Sequence, residues 1–194
     1  MENENQNQKA ELIVVYDLPS ENRLEVERKN LELKIKNLRI SSIRKLHKLG
    51  LLCTESVVIV PRDKEEELKR AIDEIMQNYE GMAKSEKLDG FKPVIRVIEL
   101  AKDQAETFKE IAERKLLAKL DEAIDRISEL LQEIDEITEE AKLKKLKTNV
   151  KRSLRELSQI EELAKELGIK TNGKVDLLYQ LYDKALEKIE EAME

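Results

Sequence analysis

Apolar residues follow two different rhythms along this chain, and one gives way to the other near residue 100. In the first half, short apolar runs alternate with stretches of helical spacing. Leu12–Asp17 is a β-branched run that ends in a carboxylate and is followed by Leu18 and Pro19. It reads as a strand either buried on both faces or central in its sheet, with Pro19 ending the ladder for want of an N–H. Ser20 is placed to cap a helix with Glu21 and Arg23 in its first turn. From Glu21 to Leu49 there is no glycine or proline, and Leu31, Ile35, Leu38, Ser42, Leu46 and Leu49 share one helical face. Ile40 and Ile43 leave that stripe, which predicts a break near Asn37–Ser41. Gly50 reads as the residue that closes the helix. Leu51–Val60 holds four consecutive β-branched residues and reads as strand, with a bend, bulge or tight hairpin at Thr54-Glu55-Ser56. Asp63 and Glu66 have capping-box spacing. Leu68, Ile72, Ile75 and Tyr79 then repeat at 4-3-4 intervals, as an amphipathic helix does. Glu80–Lys92 reads as a loop, and Val94–Leu100 as a last strand.

From Ala101 the rhythm is helical throughout. Leu117, Leu120, Ile124, Ile127, Leu131 and Ile134 alternate at 3-4 spacing. So do Leu143, Leu146, Val150, Ser153, Leu157, Ile160, Ala164 and Leu167, and then Val175, Leu178, Tyr182, Ala185, Ile189 and Ala192. These are heptad seams. The phase slips between Ile134 and Leu143, which predicts a turn at Asp135–Thr138 with Thr138 capping the next helix. Gly168 and Thr171-Asn172-Gly173 mark a second turn. Three helices of about 35, 30 and 20 residues follow, the first about 50 Å long. They close as a bundle within one chain or pair between chains, and the narrow seam favours pairing between chains for at least one helix.

The β-α-β(β)-α-β order predicts an α+β fold. It comprises a tail at residues 1–10, read as disordered, a ferredoxin-like domain at 11–100, and a three-helix bundle or coiled coil at 101–194. Both helices of the ferredoxin-like domain lie on one face of its sheet. The other face needs cover from a partner or from the C-terminal half.

Composition narrows the picture. Charged residues make up 40% of the 194 and aromatics 3%, with five glycines and three prolines, too few turn residues for an all-β fold. Abundant Lys and Glu also fit a thermophilic source. One cysteine, Cys53, excludes an internal disulfide framework, and one histidine, His47, excludes sites that need two. No apolar run approaches the ~18 residues of a membrane span, and MENENQNQK is not a signal peptide. A cytoplasmic protein is expected.

Charge changes it further. The formal net charge is −6, yet Leu33–Thr54 has no acid and six bases: Lys34, Lys36, Arg39, Arg44, Lys45 and Lys48. Ala141–Arg155 has none either, and seven bases: Lys142, Lys144, Lys145, Lys147, Lys151, Arg152 and Arg155. Lys34, Arg44, Lys45 and Lys48, with Arg39 and Arg62, make one candidate phosphate-binding face. Lys144, Lys147, Lys151 and Arg155, with Arg152 beside them, make a second. Against binding, both faces would also serve as solvated surfaces paired with neighbouring acids. Aromatics that would stack on bases are nearly absent.

Motifs for covalent chemistry are missing: there is no Gly-rich phosphate loop, nucleophile elbow or zinc-ligand spacing. No carboxylate is spaced to orient His47, so it reads as a surface histidine. Cys53 reads as a small buried hydrophobe. Tyr16-Asp17-Leu18-Pro19, Arg23, Leu46-His47-Lys48-Leu49-Gly50 and Ser56-Val57-Val58-Ile59-Val60-Pro61 together form a recognisable series. It resembles the small CRISPR-associated subunit of the spacer-acquisition complex. Related ferredoxin-like domains occur in the chromate-resistance regulator B and the phenylacetate-pathway repressor. The resemblance covers about residues 11–100 and implies a dimer. In the nuclease-like relatives it implies one aspartate from each subunit, here Asp17, holding a divalent metal such as Mg²⁺ near the twofold axis. Read from the residues alone, Asp17 equally serves to satisfy backbone N–H groups at the strand–helix turn.

The sequence therefore predicts a non-catalytic, homo-oligomeric, nucleic-acid-associated or regulatory protein, with DNA or RNA as ligand and no resident cofactor. The alternatives are a Mg²⁺-dependent nuclease with Asp17 paired across a dimer axis, and an adaptor that binds another protein through its C-terminal helices.

Overall fold

The computed structural model describes residues 11–20 and 29–193. The expected N-terminal tail and the helix start at Glu21, with Arg23 in its first turn, lie outside the described residues, and with them the turn that Ser20 is expected to cap. Alternation places Leu12, Val14 and Tyr16 on one side of strand β1 (Leu12–Asp17) and Ile13, Val15 and Asp17 on the other. β1 pairs antiparallel with β3 (Val57–Val60) on one side and β4 (Val94–Glu99) on the other. A hairpin joins β3 to β2 (Leu51–Thr54), with a register shift between Leu52 and Thr54. The sheet order is β2-β3-β1-β4.

Helices α1 (Lys29–His47) and α2 (Glu65–Glu86) cover the first face. Leu31, Ile35 and Leu46 of α1 and Leu68, Ile75 and Tyr79 of α2 meet Leu12, Val14, Tyr16, Val58 and Val60 in one core. Each such side chain, fully buried, contributes about 1.5–3 kcal/mol. α1 runs without the break expected near Asn37–Ser41. Ser42 sits in the buried stripe and donates to the Leu38 carbonyl at 2.8 Å, so its hydroxyl is satisfied within the helix.

Several local expectations give way to the tertiary structure. Asp63 lies in a 3-10 turn, Arg62–Lys64, and makes no cap. α2 begins at Glu65, with no side-chain cap at Lys64. The segment read as a loop from Glu80 is helical to Glu86, because Gly81 is tolerated in a helix and Tyr79 anchors the turn before it. Lys87 ends it in the left-handed conformation, φ 56°. Gly50 is not a left-handed cap. A Cβ there would lie 2.2 Å from the Ile59 carbonyl oxygen and 2.7 Å from Val58 Cγ1, so glycine is needed for close approach to β3.

The second face of the sheet is half covered. Ile13, Leu51, Cys53 and Ile59 are buried there, as the reading of Cys53 as a small hydrophobe required. The start of α3 (Lys102–Glu133) lies against them: Cys53 Sγ is 3.6 Å from the Phe108 carbonyl oxygen, and Ala105 and Ala112 on the same side of the helix are buried. Lys109 also reaches Glu11 at 3.0 Å. The chain accordingly divides between Ala112 and Glu113, inside α3, rather than at the end of β4.

Residues 113–193 form the second unit. The rest of α3 packs with α4 (Glu140–Leu167) and α5 (Lys174–Glu191). The turn between α3 and α4 is a 3-10 segment, Ile134–Glu136. Glu139, not Thr138, stands at the N-cap of α4, and no side chain caps it. Leu120, Ile127, Ile134, Leu143, Val150, Leu157, Val175, Leu178, Ala185 and Ile189 are buried, as the seams predict. Leu116 is buried where the α3 seam named Leu117, which is only half-buried. Lys174–Asp121 at 2.6 Å and Lys188–Asp135 at 2.7 Å have the same sequence offset, so α5 runs parallel to α3. Tyr179–Glu161 and Lys147–Glu190 run in the opposite sense, so α4 is antiparallel to α5. Among the described residues no helix is long and apolar enough to cross a membrane.

Candidate nucleic-acid interface

On α1 the bases divide according to what lies beside them. Lys34 and Lys45 lean onto α2, where Lys34 meets Glu86 at 2.6 Å and Lys45 meets Glu74. Such partly exposed pairs contribute about 0–1 kcal/mol, so they orient the lysines more than they hold the fold. Arg44 and Lys48 take no ion-pair partner among the described residues. Neither does Lys36, in the same acid-free window. With Ile40 these residues form an i, i+4 row along the exposed side of α1, which is where a phosphate backbone would lie.

Arg39 is exposed and also has no ion-pair partner among the described residues, and it stands apart from the Lys34–Lys45 flank. Its charge acts on two tyrosines. Burial raises the Tyr16 hydroxyl above its ordinary value, and Arg39 opposes that shift. Burial pushes Tyr79 up to about 12, against the opposing pull of the Ser42 hydroxyl and Arg39. Among the described residues the Tyr79 hydroxyl nevertheless meets no partner in hydrogen-bonding geometry. His47 is not the surface side chain expected. It is half-buried, with Nε2 3.0 Å from the Tyr16 hydroxyl, which itself donates to the Glu55 carbonyl at 3.0 Å. Tyr16 thus ties β1, the end of α1 and the β2–β3 turn together. The sequence signal for this was Tyr16 on the inward side of β1.

On α4 the candidate face is more fully occupied. Lys144 meets Glu140 at 2.6 Å, Lys147 meets Glu190 at 2.7 Å, and Arg152 approaches Glu156 at 3.9 Å. The hydrogen bond and charge of Lys147, with the charge of Lys151, hold the Glu190 carboxyl below its usual range. Lys151 and Arg155, four residues apart and exposed, have no ion-pair partner among the described residues. Of ten candidate bases, then, Lys34, Lys45, Lys144, Lys147 and Arg152 are paired, while Arg39, Arg44, Lys48, Lys151 and Arg155 have no ion-pair partner among the described residues.

Asp17 is exposed at the end of β1, on the face away from α1 and α2 and opposite Val94. Mg²⁺ is usually held by one or two carboxylates together with water and phosphate. Among the described residues no three His, Cys, Asp or Glu side chains converge.

The second unit also carries an open cleft of about 470 Å³. Ala123, Ile127, Leu130, Leu146 and Val150 contribute its apolar wall, and Lys119 and Arg126 are among its polar lining residues. No protein-family model, curated protein or solved structure matches this chain.

Proposed function

We propose that this chain is a non-catalytic, homo-oligomeric protein that associates with nucleic acid through exposed bases, chiefly those of α1. The observation that carries the reading is Lys36, Arg39, Arg44 and Lys48 standing exposed and, among the described residues, without ion-pair partners in a chain that has 42 carboxylates. With so many acids available, a row of unneutralised cations is a local positive field that favours a polyanion. A fold of ferredoxin-like type for the first unit is part of this proposal. Its support is the β-α-β-β-α-β order with the first strand between the third and the fourth. The near absence of aromatics directs the interaction to the phosphate backbone rather than to stacked bases.

The test is binding of a short DNA or RNA duplex to the full chain over a range of salt. The expected result is measurable affinity at low salt, with log K falling steeply as log salt rises. No binding at low salt would overturn the reading. A second reading, an adaptor that holds another protein on its C-terminal helices, is favoured by the apolar wall of the α3–α4 cleft.

A further inference from the structure

Of the seven large hydrophobics exposed among the described residues, four lie on two adjoining strands: Val15 (36% exposed) on β1, and Val94 (52%), Val97 (44%) and Ile98 (48%) on β4. Val15, Val94 and Ile98 share the half of the second sheet face that α3 leaves open. Val97 points to the other side. Among the described residues β4 is also the end of the sheet, with β1 its one strand neighbour.

The direction of its backbone groups follows from two hydrogen bonds. Tyr16 N–H bonds to Ser56, so the even residues of β1 point to β3. Leu100 N–H bonds to Glu11, so the even residues of β4 point to β1. Ile95, Val97 and Glu99 therefore direct N–H and C=O outward, unpaired by any strand among the described residues. An open edge of this kind, with apolar residues on both faces and neither glycine nor an in-strand proline, templates another strand.

We infer that the strand it takes is β4 of a second copy, paired antiparallel about a twofold axis through Val97, joining two four-stranded sheets into one. A twofold normal to the sheet keeps like faces together, so only registers centred on a residue are allowed. Centring on Arg96 would set two guanidiniums opposite each other, which is destabilising. Centring on Val97 sets Val97 against its mate, Arg96 beside the partner's Ile98, and Ile95 beside the partner's Glu99. The Glu99 carboxylate is already met by Arg62 at 2.6 Å, so it enters the interface compensated. In this register Ile95, Val97 and Glu99 of each chain satisfy one another's outward groups.

The inference rests on the oligomeric part of the proposed function and is independent of what the basic faces bind. Its test combines the solution mass of the full 22.6 kDa chain with residue-resolved amide exchange. The expected mass is that of two chains, with the Ile95, Val97 and Glu99 amides protected like those of Arg96, Ile98 and Leu100. Val97→Pro removes an outward N–H without touching the ladder to β1, and Val97→Lys sets two charges at the axis. Both should give the mass of one chain and lose protection at Ile95 and Glu99, while Arg96 and Ile98 stay protected. If the proline variant also loses Arg96 and Ile98, it has unfolded and the lysine variant decides. A single-chain mass for the natural sequence would overturn the inference. So would a dimer that survives Val97→Lys, or a dimer whose Ile95 and Glu99 amides exchange freely. Duplex binding by a single-chain species would leave the nucleic-acid reading standing while removing this one.

Discussion

The two basic helices carry similar charge but keep it differently. α4's acid-free window is short, with Glu140 one turn before Lys144 and Glu156 one turn after Arg152, so the helix neutralises part of its own surface. α5 neutralises more through Glu190. α1 has no acid anywhere from Leu33 to its end, so among the described residues its ion-pair partners come from α2, and they reach one flank. The outward row of Lys36, Arg44 and Lys48 lies beyond their reach. Net charge in a window is therefore a poor guide to an available charge. The deciding factor is whether an acid lies within a turn on the same helix or on a packed neighbour.

This contrast can be broken or sharpened in order of expected effect. Gly50→Ala should be the most disruptive change, costing about 3 kcal/mol or more, because the new methyl collides with the β3 backbone. Amide exchange should then quicken at Ile35 and Ile59 and stay slow at Leu157 and Ile189. Equal loss in both groups would mean that the two basic helices do not rest on separate cores. Next comes charge reversal. Arg44→Glu with Lys48→Glu should lower duplex affinity and flatten the slope of log K against log salt by about 2. Lys151→Glu with Arg155→Glu should do less, since α4 already carries compensating acids. Equal effects of the two pairs in the same titration would erase the distinction drawn here.

Smaller effects come from the tyrosine beside the basic row. Tyr79→Phe removes a buried hydroxyl that has no hydrogen-bond partner among the described residues, so chemical denaturation should show unchanged stability or a gain of up to about 1 kcal/mol. Its raised folded value also sets a pH window. The neutral hydroxyl is favoured in the fold, so its contribution is complete below the ordinary 10.0 and is lost as pH rises toward about 12. Stability followed across that alkaline range should fall in the natural chain and fall less in Tyr79→Phe.

Much of the architecture was legible in local spacing. The β-branched runs gave the strands at Leu12, Val57 and Val94, and the heptads gave three helices close to their observed lengths. Signals that depend on one or two side chains did less well. Asp63 and Thr138 have cap chemistry but stand one or two residues from where the helix is nucleated. Gly81 and Gly50 were both read as punctuation. One lies inside a helix, and the other is required because β3 passes too close for a Cβ. The candidate site was legible as two clusters of lysine and arginine, but the pairing that separates used from available bases was not.

By itself the sequence determined the types of the elements, the two rhythms and the segregation of charge, because periodicity and composition are properties of neighbouring residues. Tertiary structure decided the rest. It set which flank of α1 meets the acids of α2, left the Tyr79 hydroxyl without a hydrogen-bond partner among the described residues and tied His47 to Tyr16. It also covered one half of the second sheet face with α3 and left Val15, Val94 and Ile98 open. Each of these turns on which distant surfaces come within a few ångströms, and no pattern along a single stretch of chain carries that information.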